Sequence, residues 1–161
     1  MGLADLSPTL TSAQESAIRR AEQTQNGLLV AQEHLYAALR RPQPARERRW
    51  AEAVSRELAA ALAALREHRL EVEGEQGLYA EIARDAPWAV HRIRQVSAEL
   101  RRIEAEIIDL QIEVARVEGG DLQALPAIRS DAERMLLMLR DVLNKEADLI
   151  YERFRDVGAG D

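Results

Sequence analysis

Residues 65–76, LREHRLEVEGEQ, place His68, Glu71, Glu73 and Glu75 close together at the end of a helical pattern. Glu71 lies three positions beyond His68 and Glu75 seven, so both carboxylates share roughly one helical face with the imidazole. A neutral imidazole beside carboxylates is a ligand set for iron, manganese or zinc. The plainer reading is a partly buried histidine paired with a glutamate near a helix end. His34 stands beside Ala31, Leu35 and Ala38, at the edge of another apolar stripe, while His91 stands off its stripe next to Val90. The chain has three histidines and no cysteine, so a metal site would have to recruit carboxylates such as Glu33, Glu71 or Glu146. Glu146 falls near an apolar stripe between Val142 and Leu149. A carboxylate buried there needs a partner, with arginine the expected one.

Other chemistries find less support. The absence of cysteine excludes disulfides, thiolate zinc sites and cysteine nucleophiles. A ferritin-like di-iron site needs Glu-x-x-His on two helices, but Ala31, Leu65 and Trp88 precede the three histidines at that distance. No glycine-rich phosphate loop follows a strand pattern. Ser, His and Asp occur only as scattered residues. The methionine and leucine run MLLMLRDVL (135–143) reads as core filling. Arginine pairs such as Arg19–Arg20 and Arg101–Arg102 alternate with acids, as on a solvated face laced with ion pairs. A net charge of −6 lacks the basic face that would displace counterions from nucleic-acid phosphates.

The elements that must position these residues are helices. Ala, Leu, Glu and Arg dominate a chain of 161 residues, and these side chains lose little freedom in a helix. Ser12 and Glu15 form a capping-box pattern ahead of a first helix running to about Arg41, with Ile18, Ala21, Leu28, Leu35 and Leu39 on one stripe. Pro42 and Pro44 break it. A second helix starts near Ala45 and carries Trp50, Val54, Leu58, Ala61, Leu65, His68 and Val72 on its buried face. Gly74 and Gly77 weaken or end it, and residues 78–86 form a short helix or lead straight into a turn.

Asp85 and Pro87 suit the start of the next helix. Its seam of Ile93, Val96, Leu100, Ile103, Ile107, Leu110, Val114 and Val117 alternates steps of three and four, the repeat of a left-handed supercoiled seam. Gly119 or Gly120 stops it, Asp121 can cap a last helix, and Pro126 is tolerable in that helix's first turn. Ile128, Ala132, Met135, Leu139, Val142, Leu149 and Ile150 carry the last stripe to about Phe154.

The predicted fold is therefore all-α. It is an antiparallel up-down-up-down four-helix bundle in one domain spanning 1–161, with flexible ends at 1–11 and 157–161. Ile108 and Ile112 widen one stripe and either fill a broader core or face a second subunit. No apolar run approaches a membrane span, and the opening residues lack a signal-peptide pattern. A cytoplasmic protein with no membrane partner is expected.

This arrangement resembles the bacterial hemerythrin-like family. EHLYAALRR (33–41) looks like that family's first-helix segment, with His34 at a ligand position. LREHRLEVEGEQGLYAEI (65–82), followed by Pro87, looks like its second helix, with His68 at a ligand position and Glu71 or Glu73 near the carboxylate position. EADLIYERFRDVGAGD (146–161) is similar to the C-terminal end of many members. The resemblance implies a four-helix bundle and a two-iron site serving O2 binding, iron handling or redox sensing. The departures bear on the metal. Val72 replaces the glutamate expected four residues after His68, the third long helix has an aliphatic seam where histidines belong, and no histidine follows His91.

Two readings of function follow, and neither is enzymatic in its first form. One is a hemerythrin-like bundle with a degenerate metal site, acting as an interaction or structural module through a homo-oligomer or a helical partner. The other retains a metal, iron or another divalent ion, in an altered site built from His34, His68 and Glu71. A bundle holding a small apolar ligand between its stripes is a further possibility.

Overall fold

The computed structural model describes residues 10–41 and 46–154. Those residues form four long helices and one short one, with no strand among them. We number them α1 (Ser12–Arg40), α2 (Glu47–Glu73), α3 (Leu78–Asp85), α4 (Val90–Glu118) and α5 (Leu125–Phe154). Single 3-10 turns at Pro87–Ala89 and Leu122–Ala124 lead into α4 and α5. The all-α expectation holds. Most of both expected flexible ends, and the expected start of the second helix at Ala45, lie outside the described residues.

Each long helix forms where its apolar spacing predicted, with differences at the ends, and residues 78–86, open between a short helix and a turn in the sequence, contain the helix α3. Thr11, not Ser12, caps α1: its hydroxyl accepts from the Gln14 backbone, and the Gln14 amide accepts from the Thr11 backbone. The capping box is the expected one moved by a residue, because Gln14 also turns inward and hydrogen-bonds Asp85. Asp85 in turn accepts from Arg153, so it ties three elements together and caps nothing. Asp121 makes no side-chain cap either. Gly120 closes α4 with φ of 108°, a left-handed conformation that glycine adopts without steric penalty.

The order around the bundle is α1, α2, α4, α5, and cross-helix bonds give the directions. Arg20 pairs with Glu71 while Trp50 donates to the Leu39 carbonyl, so α1 and α2 run opposite ways. Arg92–Glu152 and Lys145–Glu99 do the same for α4 and α5. The core is one continuous cluster along the bundle axis, and all eight seam residues of α4 are buried in it. Ile108 and Ile112 instead stay on the surface, at 37% and 54% exposure.

The short helix α3 folds back over one end of the bundle, and Gly77 makes the turn possible. A Cβ at that position would lie 2.2 Å from the Glu71 carbonyl oxygen and 2.8 Å from that of Val72. Only a glycine lets the chain come so close to the end of α2.

Candidate functional site: a buried polar layer and an open groove

Between Ala21 and Leu28 the stripe of α1 skips a turn, and Thr24 stands at the gap. Opposite it on α2 is His68, fully buried, with Nδ1 2.7 Å from the Thr24 hydroxyl. Its other nitrogen, Nε2, lies 2.8 and 3.1 Å from the two carboxylate oxygens of Glu146 on α5. Tyr79 on α3 donates its hydroxyl to the same carboxylate at 2.5 Å. Four helices thus contribute one side chain each to a polar layer within an apolar core.

The layer satisfies itself. Burial pushes the Tyr79 phenol well above its ordinary range, and the charge and hydrogen bond of Glu146 push it further, so it stays a donor. Glu146 accepts from that hydroxyl and from the Nε2–H of His68. Thr24 serves the remaining nitrogen in either charge state of the ring. It donates to Nδ1 when the ring is neutral; when Nδ1 carries a proton, its oxygen accepts. In the second case its own hydrogen turns to the Ala21 or Arg20 carbonyl, at 3.1 and 3.2 Å. A carboxylate this buried is sustained only by such pairing.

The sequence-predicted ligands are not brought together. Glu71 sits on the α1 side, held by the Arg20 guanidinium. His34 is exposed on α1, 3.9 Å from Glu57 and ten residues from Thr24, about 15 Å along the axis from His68. Glu73 pairs with Arg69, and Glu75 and His91 are exposed. Among the described residues no group of three or more His, Asp or Glu side chains could hold a metal ion. With both nitrogens of His68 engaged and Glu71 taken by arginine, this donor set does not fit the iron of the alternative reading. Glu146 is buried as its position suggested, yet its partners are a histidine and a tyrosine, not an arginine.

A second feature lies on the surface, between α1 and α5. Leu29, Gln32, Glu33, Tyr36 and Arg40 on one helix and Glu133, Leu136, Leu137 and Arg140 on the other line a groove of about 670 Å³. Leu29, Tyr36 and Leu137 are 39%, 44% and 63% exposed. Gln32 bridges the floor by donating to the Leu136 carbonyl, and its Oε1, also buried, accepts nothing. No described helix is long and apolar enough to cross a membrane.

No protein-family model, curated protein or solved structure matches this chain.

Two residues of the polar layer were not singled out in the sequence. Tyr79 sits in a stretch that reads only as a short helix. Thr24 falls within one of two seven-residue steps in the first helix's stripe, Ala21 to Leu28, a gap that does not by itself mark a buried hydroxyl.

Proposed function

We propose that this chain is a non-enzymatic, cytoplasmic helical bundle that acts as an interaction module through the α1/α5 face. In this reading the hemerythrin-like resemblance extends to the arrangement of helices, and the place of a metal is taken by a self-contained polar layer. The observation that carries the proposal is a group of three exposed apolar side chains lining the groove between α1 and α5. Leu29, Tyr36 and Leu137 converge there on a groove with a buried, unused acceptor on Gln32. The polar layer of Thr24, His68, Tyr79 and Glu146, by contrast, is paired within itself and enclosed in the core. Exposed apolar surface gathered in one patch with a polar rim is the mark of a protein-binding surface.

Site-specific photocrosslinking in the producing cell tests this. A photoreactive residue at Leu137 should give discrete protein adducts, a second copy of the chain included. The same residue at Leu70, which is 79% exposed on α2, should not. Equal labelling from both sites, or none from Leu137, overturns the proposal.

A further inference from the structure

Glu133, Leu137 and Arg140 lie four and then three residues apart, so they form one outward stripe on α5. All three are exposed. Charges over much of this surface are paired, Arg20 with Glu71, Arg92 with Glu152 and Lys145 with Glu99 among them. Among the described residues Glu133 and Arg140 make no ion pair, nor does Glu33 across the groove. The acid and the base stand on either side of an exposed leucine. When such a stripe meets an antiparallel copy of itself, each acid falls beside a base.

We propose that the occupant of the α1/α5 face is a second copy of this chain, with the two α5 helices antiparallel across a two-fold axis beside Leu137. Glu133 then faces the partner's Arg140, and the pair forms twice by symmetry. Leu137 packs against the partner's Leu137 at the centre. The stripe alone falls short of the roughly 800 Å² per partner that a stable interface needs. Leu29 and Tyr36 extend it on the α1 side, with the Tyr36 ring held under the Arg40 guanidinium at 5.1 Å.

Charge balance favours a copy over a foreign partner. The chain carries −6 overall, so two copies meet easily only where the surface is locally neutral. The groove is such a place, with Glu33 and Glu133 set against Arg40 and Arg140. The exposed pair Ile108 and Ile112 on α4 fails this condition. Ile112 borders Glu106, Asp109, Glu113 and Asp131 with Arg134 as the single base, so self-association there would crowd like charges.

This inference rests on the proposed use of the α1/α5 face, and sedimentation equilibrium on the full chain separates the two. The wild type should form a dimer across a concentration series. Leu137→Asp should weaken it at least tenfold, with an unchanged melting curve as the control for folding. Glu133→Arg alone and Arg140→Glu alone should each weaken the dimer by about a hundredfold, because each breaks both symmetry-related pairs and one interfacial charge pair is worth about tenfold. Both changes in one chain should restore it, because antiparallel pairing rebuilds the complement. A dimer indifferent to all four variants, or swapped charges without rescue, overturns the α5 pairing. A monomeric wild type whose Leu137 crosslinks to a different protein overturns self-association and leaves the interaction module standing.

Discussion

Thr24, His68, Tyr79 and Glu146 sit among leucines and valines, and each has a hydrogen-bond partner. Leu29, Tyr36 and Leu137 sit among charges on the α1/α5 face, and no described element covers them. The two regions pose the same mismatch of polar and apolar groups and resolve it differently. A buried donor or acceptor left without a partner costs about 1–3 kcal/mol, so an incomplete interior layer would endanger the fold itself. An exposed apolar side chain costs the fold almost nothing and is common on folded surfaces. The interior is finished because it must be, whereas the groove is available for association.

Removing a member of the interior layer should have the largest effect. His68→Ala leaves Glu146 buried with Tyr79 alone, and loss of one partner of a buried pair costs about 3–5 kcal/mol. Urea denaturation should show that loss. Adding Glu146→Leu should recover part of it, since the uncompensated carboxylate goes too. A single mutant that loses less than about 1 kcal/mol would mean that the layer is not the closed network described here.

The turn at Gly77 comes next. In Gly77→Ala the new methyl meets two backbone carbonyl oxygens that cannot step aside, and overpacking of this kind costs about 1–3 kcal/mol. The displacement would move α3 and carry Tyr79 away from Glu146. A double-mutant cycle checks this link between turn and layer. Tyr79→Phe should be costly in the wild type and nearly silent in the Gly77→Ala background. Additive losses would show that α3 holds Tyr79 in place without the turn.

How far the sequence discloses these features depends on whether the signal is periodic. The buried faces of the long helices recur every three or four residues, so Ile93 through Val117 could be read directly as a seam. His68 and Glu146 could be placed on apolar stripes for the same reason. That they meet each other depends on the register between α2 and α5, 78 residues apart, which no local pattern encodes. Proximity along the chain instead points His68 toward Glu71, which the fold turns to Arg20. The groove is legible only in part. The run MLLMLRDVL reads as core filling, yet the fold leaves its Leu137 63% exposed, because the open seam between α1 and α5 comes from packing.

The smallest effect concerns the seam opposite the groove. Between α2 and α4, Arg66 and Arg69 both reach Glu104 and lie across that face, where the α1/α5 groove has unpaired charges. The hydrogen bond from Arg66 holds the Glu104 carboxyl below its ordinary 4.5; partial burial opposes it, and Arg69 adds to the lowering. A carboxylate whose acidity is greater in the folded chain than in the unfolded one stabilises the fold above its unfolded value. That contribution is lost as the pH falls through the folded one. Glu104→Gln should therefore melt below the wild type at neutral pH, by about 1 kcal/mol for a partly exposed pair. The two curves should converge once the pH drops well under 4.5. Glu133→Gln on the open face should leave the monomer's stability at neutral pH unchanged, because among the described residues its carboxylate has no ion-pair partner to lose. If Glu133→Gln cost the monomer as much as Glu104→Gln at neutral pH, the charges on the two faces would be equally engaged, and the contrast between a paired seam and an unpaired one would not hold.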